Sequence, residues 1–499
     1  MISGGASVER QLQNPPESVK TVTQTNIDTR EGPRDECGVF GIVAPGLEVS
    51  KYAYLALYAL QHRGQEAAGI AAAHLGGNIL TLRDTGLVSQ VFDQNALGSL
   101  DGDLAIGHVR YSTTGSSAWE NAQPVYRADR REIALAHNGN LTGVENLRTE
   151  LAQAGVELRS TSDTELMAAM LSTHEAESIE DAVCDVVTRI KGAFSTVVMN
   201  EDCVIAFRDP LGLRPLVLGM IDGNYCVASE SCALDIMGAT FLRDVEPGEV
   251  VTIVPGAIRS RMAVESERKA FCVFEYIYFA RPDSRMNGTL LQAARGRMGE
   301  ILAREAPVEA DLVISVPDSG TPAARGYARG SGIPQDDGFV KNRYVARTFI
   351  QPGQALRQHG LRMKFNPLPE IVAGKRLVVV DDSIVRGNTT RQIVQMLRDA
   401  GASEVHLRIS APPIRHPCHF GIDMPTREEM AAHNKTVDEI AADIGADSLA
   451  YISLEGVYEA VGGERATHCD ACFTGEYPDG SGVDAAGLVI EQPDSPVGA

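Results

Sequence analysis

The chain has 499 residues, 44% apolar and 22% charged, with a formal net charge of −21; that length predicts two or three domains of ordinary globular composition. The acidic balance repels phosphate backbones and excludes a nucleic-acid partner. No apolar run is long enough for a membrane span, and the opening residues lack the apolar segment of a secretory signal, so no membrane partner and a cytoplasmic location follow.

Taken in order, residues 1–36 are polar and dotted with Pro and Gln, and are expected to be disordered. At Cys37 the chain turns into the apolar strand "CGVFGI" (37–42). "VSKYAYLALYALQHRGQEAAGI" (49–70) carries apolar residues at helical spacing, and "TSDTELMAAMLSTH" (161–174) opens a helix with cap-type residues. "AFSTVVMN", "CVIAFRD" and "PLVLGM" read as strands, and "VEPGEVVTIVPG" (245–256) as a hairpin closing the first domain. From about residue 270 strand and helix alternate, notably in "DLVISVPDSGTPAARGYARGSGIP" (311–334) and "KRLVVVDDSIVRGNTTRQIVQMLRDAGASEVHLRIS" (375–410), which predicts a parallel sheet covered by helices. The Gly- and Pro-rich residues 476–499 are expected to form a flexible tail.

Why a thiol should open a strand is the first chemical question. A cysteine nucleophile needs a base, and its own α-amino group, with a pKa of about 7.7–8.0, is one solution. That group exists only if the chain begins at Cys37, which makes residues 1–36 a propeptide cleaved at the Glu36–Cys37 bond. Alone, Cys37 reads more simply as a buried thiol. Its company changes the balance. "GHVRYSTTG" (107–115) offers Arg110 as a bidentate carboxylate partner beside Thr113. "AHNGNL" (136–141) offers the Asn138 amide and the Gly139 N–H as an oxyanion pair. In "STSDTE" (160–165), Asp163 either takes an ammonium group or caps the helix.

In the second half, "VVVDDSIVRGNTT" (378–390) is the most specific signal: a buried strand, two carboxylates, then hydroxyls and Gly before a helix. Asp381 and Asp382 suit ribose hydroxyls and a magnesium ion, while Ser383, Arg386, Gly387, Asn388 and Thr389 suit a 5′-phosphate. "SVPDSG" (315–320) by itself is a tight polar turn, and the run Lys341, Arg343, Arg347 by itself a solvated face. Nine cysteines in a chain without a signal read as reduced thiols. Of these, Cys469 and Cys472 form a CxxC that suits redox chemistry, zinc or nothing, and Cys184, Cys203, Cys226 and Cys232 read as core thiols.

"CGVFGI", "LQHRGQEAAG", "HVRYSTTG", "HNGNL" and "SDTE", in that order, resemble the class II glutamine amidotransferases. The resemblance implies an N-terminal-nucleophile hydrolase fold of four layers, αββα. It also implies Cys37 as nucleophile and base, Asn138 and Gly139 at the oxyanion, and Arg110, Thr113 and Asp163 on glutamine. "VVVDDSIVRGNTT" resembles the diphosphoribose loop of the phosphoribosyltransferases, with Asn388 where Thr is more usual. That second resemblance implies a parallel α/β domain, Ser319 at the magnesium site, and Lys341 and Arg343 on a flap over the diphosphate.

The two halves together, with "EYIYFARPDS" (275–284) at their junction, resemble the glutamine phosphoribosylpyrophosphate amidotransferases over residues 37 to about 475. The domains expected are 37–265 for the glutaminase and 266–475 for the phosphoribosyltransferase. The implied reaction is the first committed step of de novo purine biosynthesis, from glutamine, phosphoribosyl pyrophosphate and water to phosphoribosylamine, glutamate and pyrophosphate. Also implied are a 4Fe-4S cluster on Cys272, Cys418, Cys469 and Cys472, with zinc the chemical rival, an internal ammonia channel, purine nucleotide feedback and a homotetramer. The diphosphoribose loop argues against an amidotransferase for another sugar phosphate or for asparagine. The intact glutaminase residues argue against an idle regulatory sensor.

Overall fold

A computed structural model of the chain describes residues 37–111, 119–343, 364–422, 424, 426–480, 482–483 and 489–490. All lie in one compact unit, Glu31–Ala499. The leader through residue 36, Thr113 and Arg347 fall outside the described residues.

The first half is built from two sheets laid face to face. One has seven strands: β1 (Gly38–Val43), β2 (Ala67–Ala73), β3 (Leu80–Thr85), β4 (Leu104–Arg110), β9 (Val217–Ile221), β10 (Asn224–Ala228) and β11 (Thr240–Asp244). They run β11-β9-β10-β1-β4-β2-β3. The other has six: β5 (Val125–Ala128), β6 (Glu132–Thr142), β7 (Lys191–Met199), β8 (Val204–Arg208), β12 (Glu249–Val254) and β13 (Ala257–Met262), ordered β13-β12-β8-β7-β6-β5.

Alternation along each strand decides the layers. In β1, Val39 and Val43 face the second sheet and meet Ala134, Ala136 and Val197. Phe40 and Ile42 point the other way, onto helices Val49–Ala59 and Ser231–Met237. In β6, Ile133 and Leu135 face helices Asp163–Thr173 and Ile179–Arg189. Helix, sheet, sheet, helix is therefore the order of the layers, as the resemblance implies.

Two expectations from the sequence shift. The helical pattern over 49–70 ends as a helix at Ala59, and Ala67–Ala73 becomes strand β2 between β3 and β4. The cause is Gly64, which sits so close to the Val109–Arg110 backbone that an added Cβ would lie 2.6 Å from it. The hairpin read at 245–256 is displaced to 249–262, its turn falling at Pro255 and Gly256.

In the second half, strands Leu312–Ser315, Arg376–Asp381, Glu404–Ile409 and Ser448–Tyr451 form a parallel sheet in that spatial order. Val378, Val379 and Val380 are all fully buried, as a strand covered on both faces requires. Helices Leu291–Glu305, Thr321–Ser331 and Asn388–Asp399 pack on it. The tail expected to loosen at 476 begins with a packed residue: the Tyr477 ring stacks on His419 at 4.2 Å and its hydroxyl donates to Pro417 O at 2.6 Å.

Candidate active sites

Cys37 stands at the head of β1, buried, its Sγ 3.5 Å from Tyr111 O just past the end of β4. Register brings the neighbours in. Val39 pairs with His108 in β4, and His108 Nε2 lies 3.1 Å from His137 O in β6. A carbonyl only accepts, so Nε2 carries the proton, and burial pushes the His108 imidazole down to about 3, keeping it neutral. Cys37, Arg110 and Asn138 thus lie within two residues of a bridge joining the two sheets at one end.

Asn138 is buried, and its Nδ2 makes no hydrogen bond among the described residues. An amide donor buried without an acceptor costs about 1–3 kcal/mol, which an arriving anionic oxygen would recover. Gly139 follows at φ +143, where a Cβ would lie 2.0 Å from Ala193 O, so only glycine fits.

Asp163 does not cap its helix. Ser162 does, accepting from Glu165 N. Asp163 Oδ2 instead accepts from Leu141 N at 2.9 Å, and Oδ1 lies 3.7 Å from His137 Nδ1. Burial would raise its carboxyl, but His137 and the Leu141 and Thr164 amides outweigh that and hold it below the usual carboxylate range. An ionised carboxylate suits an ammonium partner.

Behind Cys37 lies a buried ion network without individual assignments in the sequence. Arg63 Nε donates to Cys37 O at 3.2 Å, while its Nη atoms meet Glu230 at 2.5 Å and Glu275 at 2.6 Å. Glu230 also accepts from Ser284 Oγ at 2.6 Å and Arg281 N at 2.9 Å, with His62 Nε2 2.6 Å away. Burial opposes the Glu230 charge, but His62 and Arg63 hold its carboxyl well below the usual range. The motifs "LQHRGQ" and "EYIYFARPDS", read separately, are the two sides of this contact.

At the carboxyl edge of the parallel sheet, Asp381 and Asp382 are buried side by side. Burial and the neighbouring carboxylate push Asp381 well above the ordinary range. Burial also raises Asp382, against hydrogen bonds from Ser319 and Ser383. Ser319 and the acidic pair therefore do meet. Two adjacent buried acids with the Ser319 hydroxyl beside them make a donor set that suits a hard divalent ion. Gly387, at φ +83, turns the 383–387 loop into helix Asn388–Asp399, so that Asn388 and Thr389 open its first turn. Arg386 leans toward Glu429 at 3.4 Å. Lys341 pairs with Asp318 of the "SVPDSG" turn, and Arg343 follows, exposed.

The four thiols assigned by resemblance lie on three segments joined through their backbones. Cys272 and Cys469 are paired in parallel register, and Arg415 N and His416 N, beside Cys418, donate to Cys472 O at 2.9 and 3.1 Å. Burial first, then the charges of Cys272, Cys469 and Cys418, push the Cys472 thiol well up. Among the described residues no group of three or more His, Cys, Asp or Glu side chains is placed to hold a single metal ion.

Comparison with known proteins matches a glutamine amidotransferase domain to residues 108–235 and a phosphoribosyl transferase domain to residues 287–439. The amidophosphoribosyltransferase of Mycobacterium tuberculosis (strain ATCC 25618 / H37Rv) is 51% identical, over 89% of this chain and 87% of its own length. That of Synechococcus elongatus is 49% identical, over 91% of this chain and 93% of its own. Among solved structures, the glutamine phosphoribosylpyrophosphate amidotransferase from B. subtilis, complexed with ADP and GMP, superposes with a TM-score of 0.84 at 46% identity, covering 89% of this chain and 97% of that one.

Proposed function

The chain belongs to the amidophosphoribosyltransferase family, and on that premise we propose how its residues divide the reaction between a glutaminase domain at 37–265 and a phosphoribosyltransferase domain at 266–475. The family's activity uses glutamine and phosphoribosyl pyrophosphate to make phosphoribosylamine, the step that opens purine biosynthesis.

In the first half the Cys37 α-amine takes the thiol proton, and the thiolate attacks the glutamine carboxamide carbon. The developing oxyanion is met by Asn138 Nδ2 and the Gly139 N–H. The protonated amine returns its proton to the departing nitrogen, ammonia leaves, and water clears the glutamyl thioester as glutamate. Arg110 and Thr113 hold the substrate carboxylate and Asp163 its ammonium. Because the amine exists only at a chain terminus, residues 1–36 are a propeptide removed before the enzyme is active. One observation carries this half: the Asn138 amide is buried without an acceptor among the described residues, close to where Cys37 and Arg110 converge.

In the second half Asp381 and Asp382 hold the ribose hydroxyls, and Ser383, Arg386, Gly387, Asn388 and Thr389 hold the 5′-phosphate. The two acids and Ser319 would also hold magnesium, which neutralises the pyrophosphate leaving group. Lys341 and Arg343 belong to a flap that closes over the diphosphate and excludes water. Ammonia from Cys37 attacks the anomeric carbon as the bond to pyrophosphate breaks. It travels inside the protein, since in bulk water it would be lost as ammonium.

Cys272, Cys418, Cys469 and Cys472 would carry a 4Fe-4S cluster of structural use, tying three segments together. Supporting that reading is their mutual influence on Cys472. Iron and acid-labile sulfide in the purified protein are expected, and stoichiometric zinc with no sulfide would contradict it. Purine nucleotides act as feedback ligands in this reading, supported by the ADP and GMP named for the B. subtilis relative; the enzyme works in the cytoplasm as a homotetramer.

Cys37→Ala tests the division of labour. Glutamine-dependent synthesis falls to background while ammonia-dependent synthesis stays within about twofold of wild type, a loss set by removal of the nucleophile alone. Loss of both in a folded protein would contradict it.

A further inference from the structure

Gly139 is the weak point of the oxyanion pair. A glycine at φ +143 has no side chain to fix it and the widest backbone freedom of any residue, yet an oxyanion donor works only if it is held in place before the charge develops. Strand β7 pairs with it on one side, and a second contact comes from the other half of the chain.

Three consecutive residues, His419, Phe420 and Gly421, lie against the oxyanion strand. Asn140 Nδ2 donates to His419 O at 2.9 Å. Arg214, fully buried, donates to Phe420 O through Nε at 3.1 Å and Nη2 at 2.8 Å. The Arg214 carbonyl in turn accepts from Ser195 Oγ at 3.1 Å, and Ser195 is paired with Asn138 across β6 and β7. Gly421, at φ +110, packs so closely that an added Cβ would sit 3.0 Å from the Gly139 carbonyl carbon, 3.1 Å from its Cα and 3.2 Å from its oxygen. The loop is itself anchored, by His419 stacked on Tyr477 and by Tyr477 bonded to Pro417 O.

We propose that the His419–Gly421 loop of the phosphoribosyltransferase half is a positioning element for the glutaminase, fixing the Gly139 peptide from behind so that its N–H is aimed before glutamine arrives. The role rests on the reading of Asn138 and Gly139 as the oxyanion pair. His419, Phe420 and Gly421 touch neither glutamine nor Cys37 in this scheme. Their effect is on kcat for glutamine hydrolysis, because the oxyanion forms only beyond the ground state.

The test compares Gly421→Ala, Asn140→Ala and Asn138→Ala in the full chain. Four quantities are read: kcat and KM for glutamine hydrolysis, the rate of Cys37 alkylation by iodoacetamide, and ammonia-dependent synthesis. Misplacement by a fraction of an ångström is expected to lower kcat about 10-fold or more in Gly421→Ala and Asn140→Ala. KM, alkylation and ammonia-dependent synthesis should stay within about threefold, a split that general loosening of the fold would not produce. If Gly421→Ala loses ammonia-dependent synthesis as well, it has not folded, and Asn140→Ala, which adds no atoms, decides alone. Full kcat in Asn140→Ala, or a raised KM at constant kcat, while Asn138→Ala still loses about 100-fold, overturns the positioning role and leaves the oxyanion reading standing. Wild-type kcat in Asn138→Ala removes both.

Discussion

At the scale of single residues, Asn138 and Asp163 show what the fold adds to a motif. The "HNGNL" stretch marks Asn138 as an oxyanion candidate, but only the folded chain shows its amide buried and, among the described residues, without an acceptor. Asn138→Ala should lower kcat for glutamine hydrolysis about 10²–10³-fold with little change in KM, as removal of one oxyanion donor does elsewhere, and steady-state kinetics checks it. For Asp163 the sequence leaves two readings open, and the Ser162 hydroxyl closes one by taking the cap itself. Asp163→Asn should therefore raise KM for glutamine at least about 10-fold through loss of a charged contact worth roughly 1.5–3 kcal/mol, while the helix stays formed by circular dichroism. Gly421 was illegible: its importance lies in the backbone it touches 282 positions away (421 minus 139), and nothing in its neighbours along the chain announces that.

At the scale of elements, periodicity is readable where one face of a strand or helix meets the core, and fails where a tight contact ends it. Strands β7, β8 and β9 and the helix at 163–173 follow their apolar patterns, whereas residues 60–70 keep a helical pattern but are diverted at Gly64 by the backbone of β4. The contact between "LQHRGQ" and "EYIYFARPDS" is similarly tertiary. Its core is Glu230, fully buried and bonded from both sides. Glu230→Gln should destabilise the protein by about 3 kcal/mol, the cost of breaking a buried ion pair. Because the Glu230 carboxyl is depressed on folding, the stability its charge contributes is present above the unfolded carboxyl value of about 4.3 and disappears as pH falls below it. The gap between wild type and variant in urea midpoint at about pH 5 should thus narrow on further acidification; a gap that widened in acid would contradict the assignment.

At the scale of the whole molecule, the succession of motifs made the two halves legible, and in the parallel sheet the "VVVDDS" signal sits at the carboxyl end of its strand, where such sheets place ligands. What joins them was not: the Arg63 network and the loop at Gly421 both depend on residues far apart in sequence. On the proposed reading, a newly exposed α-amine at Cys37 activates its own thiol. Intact-mass measurement of purified enzyme, made on the same sample whose glutaminase rate is recorded, tests this most directly. A fully active sample should contain only chains beginning at Cys37, and activity should rise in proportion to that species. A chain that keeps residues 1–36 while hydrolysing glutamine at the full rate would contradict the account.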